Sequence, residues 1–317
     1  MAMGSGIRRL IAFTALLAAL LSAVLYAGGA VHWDREPPYQ LVDSWGGRGS
    51  DPGQFNDPTG IAVGNGEVFV ADARNRRIQV FDKRGNFRRA FGGEVLERPM
   101  NLAIADGRLY VPDYFRDVIQ VFALDGSHLR TLGAGAGLDS PGGVAVRGDG
   151  SLLVADTYGQ RVLHLDADGR LLHSWGGRGS GAGAFSYPTD VAAAGGGFYV
   201  ADGYNDRIQQ FDADGALVRK WGGPFAANIF GPFRGWFATA TSVAAGADGS
   251  VFVADFYNDR IQKFSGDGRF LTAFGTPSRG PGHTQIAVAV DADGSVWSAN
   301  YADNRVEKWR PLQQTED

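Results

Sequence analysis

Val200-Ala-Asp-Gly-Tyr-Asn-Asp-Arg-Ile208 returns 53 residues later as Val253-Ala-Asp-Phe-Tyr-Asn-Asp-Arg-Ile261, and an earlier copy reads Val70-Ala-Asp-Ala-Arg-Asn-Arg-Arg-Ile78. Weaker copies occupy Val111–Ile119, Val154–Val162 and Ser298–Val306, which makes six. The anchoring positions Asp72, Asp113, Asp156, Asp202, Asp255 and Asn300 are separated by 41, 43, 46, 53 and 45 residues. A period of that length is the mark of a propeller or solenoid.

Each copy contains four short strands. In the first, Gly60–Val63 is apolar and follows Pro58, and Glu67–Asp72 is rich in β-formers. Arg77–Asp82 then alternates, with Ile78, Val80 and Asp82 on one face, and Phe87–Phe91 closes the unit. Asp-Gly pairs recur between the third and fourth strands, at Asp168-Gly169, Asp214-Gly215 and Asp267-Gly268. They supply the positive φ that tight hairpins require. The expected fold is all-β, a six-bladed β-propeller of four-stranded antiparallel blades.

The two ends explain each other. The sixth copy has only three strands, Thr284–Val290, Ser295–Asn300 and Arg305–Trp309. Gln40-Leu-Val-Asp-Ser-Trp-Gly-Gly47 precedes the first copy and repeats the fourth strand of the third, Arg170-Leu-Leu-His-Ser-Trp-Gly-Gly177. The N-terminal strand is therefore expected to complete the last blade and remove two open sheet edges. The implied division is residues 1–33 as an apolar N-terminal helix, 34–38 as a linker, 39–310 as the propeller and 311–317 as a tail.

Arg8 and Arg9 precede an uncharged run from Leu10 to Val31. Its length suits a transmembrane anchor with the following chain outside. The small residues Ala27-Gly-Gly-Ala30 equally suit a cleaved signal peptide. Either way the propeller is expected to be extracytoplasmic: anchored at the inner membrane, or periplasmic or secreted after cleavage. Composition, with 47 Gly, 12% aromatic and 20% charged residues, suits many short strands joined by tight turns. The net charge of −4 offers no basic excess for nucleic acid, and the absence of Cys removes disulfides, thiolate metal sites and a cysteine nucleophile.

The repeated Val-Ala-Asp-x-x-Asn-x-Arg-Ile, with its Pro-x-x-Ile-Ala-Val lead-in, resembles the NHL repeat over residues 39–310. The resemblance implies the propeller fold and little about activity. It spans peptide α-amidating lyases, RNA-binding domains of tripartite-motif proteins and bacterial sensor domains, with streptogramin lyases and lactonases as related propellers. The lyases hold a metal with several His from innermost strands. Here His32 precedes the propeller, His128, His164 and His173 fall on third or fourth strands or the turn between them, and only His283 lies beside an innermost strand. A His-rich metal site is not expected.

Four Asp–Arg couples span a hairpin turn: Asp72 with Arg77, Asp156 with Arg161, Asp202 with Arg207, and Asp255 with Arg260. They are read as structural ion pairs, because a feature of every repeat is architectural. Copies two and six, with Val118 for Arg and Asn300 for Asp, should lack the pair. Asp190, Asn101, Gln285 and His283 are the polar candidates for a channel site, and together could hold one Ca²⁺. The insertion 224–237 carries Phe225, Phe230, Phe233, Arg234, Trp236 and Phe237. It is expected on the binding face, as a ligand contact, a membrane contact or a self-packed plug of the channel mouth. The favoured reading is a non-catalytic binding or scaffold module for a protein, peptide or glycan, without a cofactor. The alternative is a lactonase-like, metal-dependent hydrolase or lyase using the channel Ca²⁺.

Overall fold

The computed structural model describes Thr14, residues 16–20 and residues 34–312. Six four-stranded antiparallel sheets are arranged as blades, and their innermost strands touch one another in a closed ring. Blade one contains Pro58–Gly64, Glu67–Asp72, Arg77–Asp82 and Phe87–Phe91, running from the axis outward. Blades two to five repeat that order. In blade six the inner strands are Gln285–Val290, Val296–Asn300 and Arg305–Pro311, and the outer strand is Tyr39–Gly46. Tyr39 pairs with Pro311 and Gly46 with Arg305, so the ring closes as the sequence suggests, with the last strand two residues longer than expected.

Of the N-terminal segment, Thr14 and residues 16–20 are helical; the rest of 1–33, where the anchor or signal is expected, lies outside the described residues, as do tail residues 313–317. No helix among the described residues is long and apolar enough to cross a membrane. Residues 34–38 pack on blade five. Arg35 N–H donates to the Leu271 carbonyl at 2.7 Å, and Glu36 pairs with Lys263 at 2.7 Å.

The core is divided among the seams between blades. Six apolar clusters each join two neighbours; Ala71, Ile78 and Val80 of blade one, for example, meet Leu109, Val111 and Phe122 of blade two. Middle strands are thus covered on both faces, which mutes the expected alternation: Ile78 and Val80 face one seam and Phe81 the other. Outer-strand aromatics lie over the next blade's hairpin glycine. A Cβ on Gly215 (φ +82°) would stand 2.2 Å from the Trp175 ring, so this turn needs glycine for space as well as for φ.

At one end of every blade the repeat residues form a lock. Asp72 accepts the Asn56 N–H at 2.7 Å and the Arg77 Nε at 2.8 Å, while Gln79 donates to it at 3.1 Å and accepts the Gly53 N–H at 2.9 Å. Asp202 with Arg207 and Gln209, and Asp255 with Arg260 and Gln262, repeat the arrangement. Asp156 and Arg161 pair at 2.7 Å. The lock therefore straps each incoming inter-blade loop to the hairpin beside it.

Blade two has no arginine at Val118; Asp113 still accepts the Glu97 and Arg98 N–H groups, and Arg116 stands 3.7 Å away. Blade six corrects the expectation, because it keeps an ion pair with amide and acid exchanged. Asn300, Asp303 and Glu307 stand where blade one has Asp72, Asn75 and Gln79. The buried Glu307 carboxylate accepts from Arg305 at 2.9 Å, from Asn300 at 2.8 Å and from Gln285 at 2.8 Å.

A second set of bonds runs around the ring. The residue before each third strand adopts the left-handed conformation, and its side chain reaches the next blade. Asp117 accepts from Ser140 N–H, Gln160 from Tyr187, Asp206 from Thr239, Asp259 from Thr284 and Asn304 from Asp57. In blade one Arg76 instead donates to the Leu96 carbonyl. These links fix the blades in register at the end where the locks lie.

Candidate functional site

That end carries a cavity of about 640 Å³ at the mouth of the channel. The Asp–Arg turns and the starts of the innermost strands converge there because Pro58 pairs with Asp72, and its counterparts in the other blades do likewise. Tyr114, Phe115, Tyr158, Tyr187 and Tyr204 line one side of it. Their rings touch in sequence, Tyr114 to Tyr158 at 6.0 Å, Tyr158 to Tyr187 at 5.3 Å, and Tyr187 to Tyr204 at 5.0 Å between centroids. A second aromatic group lies across the same face, where Phe256 contacts Tyr257, His283 and Tyr301.

The floor carries Thr59, Asn101, Gly142, Thr157, Thr189 and Thr241. Thr59, Thr157 and Thr189 donate to carbonyls of the following blades, Pro99, Pro188 and Ala240, each at 2.8 Å. Burial and the neighbouring Tyr158 push Tyr114 up to about 12, so its hydroxyl stays protonated and able to donate. Polar groups at the rim are partnered: Asp57 with Arg74 and Arg98, and the Asp259 carboxylate with the His283 ring at 3.2 Å. The wall is mainly aromatic and hydroxyl-bearing, with the Arg98 guanidinium as its charged member, and suits a ligand held by stacking and hydrogen bonds.

The four polar channel candidates do not converge. Asp190 is buried against blade five, accepting the Ser242 hydroxyl at 2.8 Å and the Val243 N–H at 2.9 Å. Burial pushes it up to about 7, which these bonds offset only in part. Asn101 lines the mouth, with its amide 3.4 Å from the Thr241 carbonyl. Gln285 turns away to Glu307 at 2.8 Å, and His283 pairs with Asp259 at 3.2 Å. Asp190 and His283 are thus committed to different partners, while Gln285 gives its amide N–H to Glu307 and keeps its buried Oε1 without a protein partner. Among the described residues no group of three or more His, Cys, Asp or Glu is placed to hold a metal.

The insertion is also corrected. None of its residues lines the mouth cavity, so it is not a plug. Trp236 and Phe237 are buried, and Phe237 packs on Phe264 and other members of the seam between blades four and five. They are the foot of the loop and not a contact surface. Phe225, Phe230 and Phe233 remain exposed, and Arg234 pairs with Asp34 at 2.6 Å.

The family model for the NHL repeat matches residues 55–81 and 185–211, the blade-one and blade-four segments that hold the Asp–Arg–Gln lock. These two blades carry NHL repeats. Over 166 residues it is 29% identical to "Protein brain tumor" of Drosophila melanogaster, covering 50% of this chain and 16% of that protein. Over 37 residues it is 60% identical to "B-box type zinc finger protein ncl-1" of Caenorhabditis elegans, covering 11% of this chain and 4% of that protein. The chain thus matches a small part of each relative's length. A streptogramin B lyase structure superposes with a TM-score of 0.62 at 16% identity, over 86% of this chain and 98% of that one, a likeness of fold alone.

In this propeller the tyrosines of the mouth face are not among the candidates read from the sequence. Tyr114, Tyr158, Tyr204, Tyr257 and Tyr301 all fall one or two positions after the repeat's anchoring acid or amide. The signal was a column of the repeat alignment, visible once the copies are stacked.

Proposed function

We propose that this NHL propeller is a non-catalytic binding module whose mouth seats a peptide segment of a partner protein outside the cytoplasm. The observation that carries the proposal is the wall of touching tyrosines around a cavity of about 640 Å³. Tyrosine gives large, stiff contact area at low entropic cost and adds a hydroxyl, which is why it dominates adaptable binding surfaces. Stacking on the rings and hydrogen bonding to their hydroxyls are the chemistry this surface supports. The blade-to-blade bonds hold the rim rigid, which lowers the ordering cost of capture.

The test is selection of peptides from a display library on the full chain, followed by affinity measurement on Tyr158→Ala and Tyr204→Ala. Both side chains are half exposed, so the fold should survive their removal. Selected peptides are expected to lose tenfold or more in affinity. Peptides that bind the variants as well as the parent chain would place the site elsewhere, and capture of oligosaccharides with no peptide selected would replace the ligand class.

A further inference from the structure

We propose that Phe225, Phe230 and Phe233 form a membrane contact that lays the propeller on the bilayer beside the point where the chain turns toward its apolar segment. The inference rests on reading residues 10–31 as that segment. The three phenyl groups are 66%, 73% and 53% exposed on one loop. Isolated exposed apolar residues are ordinary, but three phenyls on one loop mark a contact surface.

The loop is held as a rigid presenter. Trp236 and Phe237 sink into the protein at its foot. Arg260 donates to the Pro232, Phe233 and Trp236 carbonyls, Asn258 to Gly231, and Lys220 to Ala226. Those backbone acceptors are satisfied by the protein itself, which an interface poor in water demands. Phe225 has φ +60°, a left-handed conformation that a bulky residue avoids unless its surroundings enforce it, and here it holds the ring outward.

The occupant follows from where the chain leads. Arg234 of the loop pairs with Asp34 at 2.6 Å, and Glu36 and Arg35 fix the following residues to blade five. Val31, the last residue of the uncharged run, is three residues from Asp34. Three residues span at most about 11 Å. A bilayer surface that meets the chain at Val31 therefore comes within reach of the loop, and phenyl groups favour burial in that interface. A second copy or a protein partner would need no such placement beside the tether.

The chain has no cysteine, so a single introduced Cys can carry a fluorophore uniquely. The full chain is reconstituted in vesicles containing nitroxide-labelled lipids, with the label at Phe230→Cys, at Leu20→Cys in the apolar segment, or at Leu129→Cys on blade two. Positions 20 and 230 should be quenched at least twofold more than 129, and replacing Phe225 and Phe233 by Ser should remove most of the quenching at 230. Quenching at 20 with none at 230 overturns the membrane contact and leaves the tether standing. Absence of quenching at both positions overturns the tether and the contact with it. Shielding of 230 from aqueous iodide without lipid quenching would show that a protein surface covers the loop instead, and also overturns the proposal.

Discussion

The exchanged lock of blade six makes a quantitative prediction. Three positions differ in concert from blade one: Asn300 for Asp72, Asp303 for Asn75, and Glu307 for Gln79. Glu307→Gln removes the buried carboxylate that Arg305, Asn300 and Gln285 all address. Breaking a buried pair costs about 3–5 kcal/mol, but Arg305 is 28% exposed and keeps Asp303 at 3.1 Å, so about 2 kcal/mol is expected. Asn300→Asp places a third carboxylate around one guanidinium and should also cost about 2 kcal/mol. The triple variant N300D/D303N/E307Q rebuilds the blade-one arrangement and should return to within about 1 kcal/mol of the parent chain, a non-additivity typical of residues sharing one network. Guanidinium unfolding followed by tryptophan fluorescence measures this, provided the slope is unchanged among variants. A triple variant as unstable as the sum of its parts would refute the claim that blade six holds the same lock in exchanged form.

Asp190 should leave a pH signature. Its folded pKa of about 7 lies above the unfolded carboxylate value, so its protonated form stabilises the fold below about pH 4 and that contribution is lost as pH rises through 7. The stability of the parent chain relative to Asp190→Asn should therefore fall by up to about 4 kcal/mol between pH 4 and 8; a flat difference would show that Asp190 is ionised in the fold. Gly143→Ala should destabilise by about 2 kcal/mol or more in thermal unfolding, because its Cβ would stand 2.1 Å from Asp190 Oδ1 and 2.8 Å from the Asp190 Cα. Phe237→Ala should cost about 3–5 kcal/mol in the same assay while Phe230→Ala stays within about 0.5, separating the foot of the insertion from its exposed tip.

The blade count and the ring closure were legible because each rests on a repeated local pattern. The Asp-x-x-Asn-x-Arg turn recurs wherever a hairpin meets an inter-blade loop, and Gln40–Gly47 duplicates a strand whose place in a blade was already clear. The fate of the insertion was not legible. Trp236 and Phe237 sit in a Gly- and Pro-containing segment without periodicity, and only the seam between blades four and five decides that they turn inward. The channel candidates failed for a related reason. Asp190, Gln285 and His283 were grouped by nearness to innermost strands, yet the next blade's Ser242, the same blade's Glu307 and the preceding blade's Asp259 each claim one of them. In blade six the acid stands seven residues along from the anchoring column, at Glu307, so that column alone does not show the pair.

The pairing of Tyr39–Gly46 with Arg305–Pro311 also sets an order of events during synthesis. The closing strand is the first part of the propeller to leave the ribosome, and its partner is the last. Tyr39 and Pro311 are 311 − 39 = 272 residues apart. At about 5–20 residues per second the early strand waits roughly 14 to 54 s with its backbone groups unpaired. Through that interval it is a free edge available to any other strand, including those of neighbouring nascent chains. Anything that sequesters the first residues during translation would act as a chaperone for ring closure, and a slow ribosome would favour exchange of that strand between chains.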